Sequence, residues 1–253
     1  AGTVIGSDHV AKAAPDGYTL LAGLSTLATN PALIKKMPYD AVRDLAPISQ
    51  VAQSPNVLVV HPSIPVRSVK ELIAFVRARP GQLTFASAGV GTNPHMTFEL
   101  FRSMAKLDAV HVPYKGSAPA ITDLVGGHVA MMSATALTGI PQIRAGRLRG
   151  LGVTSAKRSA SAPELPTLHE AGVPGYEATQ WYGVLAPAAT PPEIVKRLHA
   201  EIVEILKLPD VKERLAADGA EPVGDTPEAF GKFIRAEIAK WAKVARDAGI
   251  QPE

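Results

Sequence analysis

The sequence predicts an α/β protein built from parallel βαβ units with flanking helices, and three observations carry that expectation. Short apolar runs alternate with helical patterns along almost all of the 253 residues. The 22 prolines and 21 glycines supply the many turns that such alternation needs. The chain is 46% apolar and 19% charged, whereas a disordered chain needs lower hydrophobicity and more charge. At this length it forms one large domain or two of roughly 100–150 residues each.

The elements follow in order. The turn "APDG" (14–17) precedes the strand "YTLLAGL", and "NVLVVHPS" (56–63) reads as a strand ended by Pro62. A helix over 68–79 opens with Ser68 and Glu71 in capping-box spacing and puts Leu72, Ile73 and Val76 on one face. "QLTFAS" (82–87) is a strand. Pro94, at a first helical position, then opens a helix with Met96, Leu100, Phe101 and Met104 inward. "AVHVPY" (109–114) is the next strand, and "SAPAITDLVGG" (117–127) is a helix stopped by Gly126 and Gly127. "HVAMMS", a helix over 138–145 and "LRGLGVTS" complete this run.

From Ala156 to Gly175 the pattern weakens and three prolines intervene (Pro163, Pro166 and Pro174), which predicts a long surface connection. "QWYGVLAPAAT" (180–190) follows as an apolar strand. Three helices end the chain. One opens at Thr190 with Glu193 in capping-box spacing, and one opens at Asp210 with Glu213. The last runs from about Pro227 to Ala248 with Phe230, Phe233, Ile234, Ile238, Trp241, Val244 and Ala248 on one stripe.

Several function classes are disfavoured. No apolar run reaches the ~18 residues of a membrane-spanning helix. The chain has no cysteine, so disulfides and thiolate metal sites are excluded. The seven histidines never fall at H-x-H or H-x₃-H spacing and no carboxylate cluster accompanies them, so no metal or cofactor is expected. The net charge of +3 is scattered and only 5% of residues are aromatic, a poor footprint for nucleic acid and a better one for small anions. No G-x-S-x-G elbow occurs: "GLSTL" (23–27) has the serine without the second glycine. Ser25 and Ser87 end strands, where hydroxyls usually bond backbone. His95 reads as a helix-end group, and Asp123 as a solvated or capping carboxylate.

What remains is a recurrent loop. "ASAGVGTNPH" (86–95) leaves a strand through Gly89 and Gly91, with hydroxyls at Ser87 and Thr92, and enters a helix. It lacks the GK[ST] of a P-loop and the third glycine of a dinucleotide fingerprint. "LSTLATNP" (24–31) and "YKGSAPA" (114–120) are also hydroxyl-bearing loops between a strand and a helical stretch. Loops at the carboxyl ends of parallel strands converge on one crevice, and helix N-termini favour anions. Three such loops without nucleophile, base or metal point to a binding site for a small anion, without chemistry.

The ordered series "AKAAPDGYTLL", "NPALIKKMPYDAVRDLAPI", "FASAGVGTNPHM", "VHVPYKGSAPAITDLVGGHV", "IRAGRLRGLGVTSAKRS", "ELPTLHEAGVPGYEATQWYGVLAPAATP" and "ERLAADGAEPVGDTPEAFGKFI" resembles the Bug/TctC family from residue 1 to about 250. These are the periplasmic solute-binding receptors associated with tripartite tricarboxylate transport. The resemblance implies a type II periplasmic-binding-protein fold of two α/β lobes with mostly parallel central sheets, closing on a small carboxylate. Lobe one would hold residues 1–60 and 183–253, and lobe two residues 61–182. The carboxylate would be a dicarboxylate, tricarboxylate, amino acid or aromatic acid. Backbone N–H groups, hydroxyls and waters would hold it, without an arginine clamp. The matching positions are Ser25 and Thr26 in lobe one. In lobe two they are Ser87, Ala88, Gly89, Gly91, Thr92, His95 and Tyr114, with Gly116, Ser117 and Ala118 beside them. Membrane subunits of the transporter are the implied partners of a periplasmic monomer that has already lost its signal peptide.

Two departures bear on ligand choice: Leu27 stands where members often have His, and an Asp or Asn is missing from Ser133–Thr135. The chain also starts after the strand and Pro/Gly-rich loop with which members begin, so that 40–50 residues of lobe one and one jaw of the site are expected to be absent. On such a chain, carboxylate binding at millimolar strength or worse is expected. A ligand-sensing receptor for a membrane kinase is the alternative within the same fold. A hydrolase or transferase using His95 with Ser87 or Asp123 is the enzyme alternative, and it requires a nucleophile–base contact of ~2.6–3.2 Å.

Overall fold

The structure, a computed structural model, describes residues 3–252. In chain order come α1 (Val4–Ala11), β1 (Leu21–Leu24), α2 (Thr26–Leu33) and the 16-residue strand β2 (Leu45–Val60). There follow α3 (Val69–Arg77), β3 (Thr84–Ser87), α4 (Asn93–Met104), β4 (Val110–Pro113), α5 (Ser117–Val125), β5 (Met131–Thr135), α6 (Ala136–Arg144) and β6 (Arg149–Val153). After a stretch without helix or named strand come β7 (Thr179–Pro187), α7 (Pro192–Lys207), α8 (Pro209–Ala217), a short β8 (Glu221–Pro222) and α9 (Pro227–Asp247). The chain divides into two compact units, Ala1–Gln53 with Trp181–Glu253, and Ser54–Gln180.

Unit 2 carries most of the alternating βα pattern. Its strands lie in the order β6-β2-β5-β3-β4, with β3 parallel to β4 and β5. The expectation of mostly parallel sheets is corrected here: the sheet is mixed. β2 runs antiparallel to β5 and β6, and also to β8, while β1 runs antiparallel to β7. Val57–Val60 are buried throughout, as strands of parallel sheets are, so apolar composition gave no sign of the reversed direction.

The core of unit 2 gathers Val57 and Val59 of β2, Met132 and Ala134 of β5, Leu124 of α5 and Ile140 of α6. The stretch from Ala156 to Gly175 is more than a surface connection. It buries Ala162, Leu165, Leu168 and Val173, and Val153 N–H donates to Pro166 O at 2.9 Å, joining it to β6.

Local signals explain several boundaries. Ser68 Oγ accepts the Glu71 N–H at 3.2 Å, and Glu71 Oε2 accepts the Arg67 N–H at 2.6 Å, closing a capping box one residue early. Thr226 Oγ1 caps α9 by accepting the Ala229 N–H at 3.2 Å. The box expected at Thr190 and Glu193 does not form: Pro191 is the N-cap and no side chain caps α7. On α4 Met96 and Phe101 are buried as expected and Phe98 is buried with them, whereas Met104 is exposed. In unit 1, Phe230, Ile234, Trp241 and Val244 bury the α9 stripe. The Phe230 ring occupies the space a Cβ on Gly183 of β7 would need.

Candidate functional site

In unit 2, β3, β4 and β5 run in one direction and each passes directly into a helix. The N-termini of α4, α5 and α6, capped by Thr92, Gly116 and Thr135, therefore follow the carboxyl ends of three neighbouring parallel strands. Such an edge concentrates unpaired N–H groups and positive dipole ends.

The loop Ser87–Thr92 is tied to the loop after β4 by two backbone bonds. Tyr114 N–H reaches Ser87 O at 3.0 Å, and Gly116 N–H reaches Ala88 O at 3.1 Å. Gly89 has φ 127°, a conformation essentially reserved for glycine. A Cβ there would also lie 3.1 Å from Tyr114 O. The close approach of the two loops thus requires this glycine on both counts.

The loop is also bonded within itself. Gly89 N–H donates to Ser87 Oγ at 3.1 Å, and Gly89 O accepts from Thr92 Oγ1 at 2.7 Å and from Thr92 N–H at 3.3 Å. Gly91 N–H donates to His95 Nδ1 at 3.2 Å. Both glycine N–H groups are therefore engaged inside the loop. The donors that geometry leaves without an intrahelical acceptor are those of Asn93 and His95 in the first turn of α4; Pro94 between them has none.

Beneath the loop lies a stack of rings. His95 of α4 and His111 of β4 stack at 4.0 Å and 20°, and His111 stacks on Phe85 at 4.8 Å and 19°. His111 Nε2 sits 2.6 Å from Ser87 Oγ. With the Ser87 hydrogen directed to Gly89 O at 3.2 Å, its oxygen accepts from Gly89 N–H and His111 donates from Nε2. Burial, and next the neighbouring His95, push the His111 pKa down to about 4, so the ring is neutral at pH 7. His95 Nε2 faces Glu99 Oε1 at 3.6 Å, and Glu99 accepts from Arg102 Nε at 2.7 Å.

These distances bear on the enzyme alternative. His95 is engaged with Gly91 and Glu99 rather than with Ser87, and Asp123 Oδ2 accepts the Tyr114 hydroxyl at 2.7 Å. Burial, with that bond second, pushes the Tyr114 pKa up to about 12. The Ser87–His111 contact has the length of a nucleophile–base pair. Its serine is fully buried, however, and already bonded to Gly89 through both its hydrogen and its oxygen.

A second polar network anchors the head of α4. Asn93 Oδ1 accepts from Asn56 Nδ2 of β2 at 2.8 Å, and Asn93 Nδ2 donates to Thr179 O of β7 at 3.1 Å. Thr97 Oγ1 lies 2.9 Å from both Asn56 Nδ2 and Ser133 Oγ. These bonds hold the buried set in place, and Asn56 Oδ1 is its one buried atom without a hydrogen-bond partner among the described residues.

The sequence-nominated residues therefore separate into two groups. Ser87, Ala88, Gly89, Gly91, Thr92, His95, Tyr114 and Gly116 form one bonded assembly in unit 2. Ser117 and Ala118 begin α5 beside it. Ser25 and Thr26 head α2 in unit 1, where Ser25 is buried and Thr26 Oγ1 lies 2.9 Å from Thr3 Oγ1. His111, Asn93 and Asn56 were not nominated. The "AVHVPY" strand alternates, which puts His111 on the same face as Ala109 and Pro113, but a lone strand histidine carries no motif. Among the described residues, no group of three or more His, Cys, Asp or Glu could hold a metal ion.

The family described as tripartite tricarboxylate transporter family receptor matches residues 1–250. BugT of Bordetella pertussis is 42% identical over 253 residues, covering 99% of this chain and 78% of its own. A Rhodopseudomonas palustris protein solved with adipate is 41% identical at a TM-score of 0.86, over 99% of this chain and 84% of that one. MatC from the same species, solved with bound malate, is 31% identical at a TM-score of 0.81, over 96% and 84%.

Proposed function

The chain belongs to the tripartite tricarboxylate transporter receptor family, and from that premise we propose that it captures a small dicarboxylate in the periplasm and delivers it to the membrane subunits of such a transporter. Members of the family are periplasmic solute-binding receptors, and the similar proteins are binding proteins rather than enzymes. The family match across residues 1–250 carries the reading. Adipate in one similar structure and malate in another favour a dicarboxylate over a tricarboxylate or an aromatic acid.

The proposed carboxylate position is the loop Ser87–Thr92 and the N-terminus of α4. Hydrogen bonds from backbone N–H groups to a charged group each contribute about 1.5–3 kcal/mol, and the helix N-terminus adds about 0.3–1 kcal/mol. The loop glycines contribute by close approach, since their own N–H groups are engaged internally. Ser25 and Thr26 are proposed as ligand contacts on the family resemblance alone.

Titration calorimetry with adipate and malate, against their uncharged diamides, tests the reading. Saturable binding of the acids but not of the diamides is expected. In Gly91→Val, at φ 77°, affinity should fall at least about tenfold, or 1.4 kcal/mol, while the chain stays folded. Equal affinity in wild type and Gly91→Val would remove this loop from the site.

A further inference from the structure

We infer that His111 of β4 is a positioning residue of the carboxylate loop, holding Gly89 through the hydroxyl of Ser87. The inference rests on the proposed assignment of the loop Ser87–Thr92 to the carboxylate.

Ser87 sits between His111 and Gly89. Its Oγ is a junction: it accepts from Gly89 N–H at 3.1 Å, donates to Gly89 O at 3.2 Å and meets His111 Nε2 at 2.6 Å. A hydroxyl has one hydrogen and two lone pairs. With the hydrogen on Gly89 O, both lone pairs are filled only if His111 donates. The side chain of Ser87 is then fully satisfied and has one orientation, and with it Gly89, at φ 127°, is held on both its N–H and its C=O.

The donor is itself fixed. The His111 ring packs beside Phe85 of the paired strand at 4.8 Å and stacks on His95 at 4.0 Å, with planes within 20°, and Phe85 and His95 themselves stand 6.4 Å apart. That ring cannot turn its Nε2 away from Ser87 without losing the stack. His95 completes the arrangement by accepting Gly91 N–H on Nδ1. Two stacked imidazoles therefore hold the two glycines of the loop, one directly and one through a serine. Neither imidazole needs to touch the ligand for the loop geometry to depend on both.

The test separates this role from simple packing. His111→Phe keeps the stack and removes the donor, whereas His111→Gln keeps an N–H donor and removes the stack. Adipate affinity should fall about tenfold or more in His111→Phe and stay within about threefold of wild type in His111→Gln. Thermal stability should follow the opposite order. In the double variant with Ser87→Ala, the loss should be no greater than in Ser87→Ala alone, because the two act in series. Ser87→Ala by itself gives the same reading should His111→Phe fail to fold: its adipate affinity should also fall about tenfold. Wild-type affinity in either variant, an equal loss in His111→Gln, or additive losses in the double variant would overturn the inference. If Gly91→Val binds adipate normally, the loop assignment fails and this inference with it. If Gly91→Val is impaired while His111→Phe is not, only the role of His111 fails.

Discussion

Alanine at Gly89 should damage the loop in a way that can be apportioned. Gly89 has φ 127°, and an added Cβ would lie 3.1 Å from Tyr114 O and 3.8 Å from Thr92 Cγ2. Holding an alanine in that backbone region costs about 1–3 kcal/mol. The contact with the Tyr114 carbonyl adds to this, because a backbone neighbour gives way only if the loop after β4 moves with it. Gly146, at φ 67° with nothing within 4 Å of a built Cβ, supplies the control. Gly146→Ala carries only a left-handed backbone cost, about 1 kcal/mol. In a chain of this size, 1 kcal/mol shifts the melting temperature by about 2–4 °C. Gly89→Ala should therefore melt several degrees below wild type and below Gly146→Ala. Its affinity for adipate should fall at least about tenfold, the loss of one charge-assisted hydrogen bond, while Gly146→Ala binds as wild type. Thermal unfolding by circular dichroism and titration calorimetry measure the two effects. If Gly89→Ala matches Gly146→Ala in both, the close approach of the two loops does not matter and the reasoning fails.

Two further outcomes follow. The pKa of His111 lies near 4 in the folded chain against an ordinary 6.5, so the unfolded chain binds more protons between those values. Stability should therefore fall as pH drops from about 6.5 to about 4 and level off below, by about 1–3 kcal/mol from this ring, which stays partly solvated. His111→Gln should lose that part of the acid slope, and an unchanged slope in denaturant titrations from pH 7 to 4.5 would count against the neutral buried ring. Separately, neither Ser87→Ala nor His95→Ala should abolish any hydrolysis of activated esters or amides seen in wild type. A wild-type rate lost in either variant would replace the binding reading with the enzyme reading.

What the sequence made legible was what short-range chemistry decides. The cap at Ser68, the start of the last helix near Pro227 and the stripe on α9 are all written in neighbouring residues. Longer-range features escaped. The strand read at residues 56–63 is the end of β2, which starts at Leu45 and passes through Pro55. A proline interrupts a strand reading because it cannot donate to a ladder. Here it falls between the residues paired with β8 and those paired with β5, so the strand continues. The direction of β2 was equally hidden, since burial on both faces leaves the same composition in either orientation. Thr190 and Glu193 had the spacing of a capping box, but Pro191 became the cap.

The site shows the same division. Gly89, Gly91 and the hydroxyls around them stood out because loop chemistry is local. That the Gly89 and Gly91 N–H groups are engaged by Ser87 and His95 depends on the folded loop and left no local sign. His111 lies 24 residues from Ser87, and only the parallel pairing of β3 with β4 brings them together. Asn93 was visible at the helix start, but its bonds to Asn56 and Thr179 depend on strands 37 and 86 residues away.

The central claim, a carboxylate held at the head of α4, is tested most directly by following backbone amide resonances as adipate is added. The N–H groups of Ala88, Asn93 and His95 should shift downfield in a saturable manner, with the largest changes confined to the Ser87–Thr92 loop and the first turns of α4 and α5. The diamide should leave them in place. Shifts centred instead on the cavity of about 500 Å³ lined by Pro31, Tyr39, Arg43 and Ile238 in unit 1, or no saturable shift up to about 10 mM adipate, weaker than −3 kcal/mol, would contradict it.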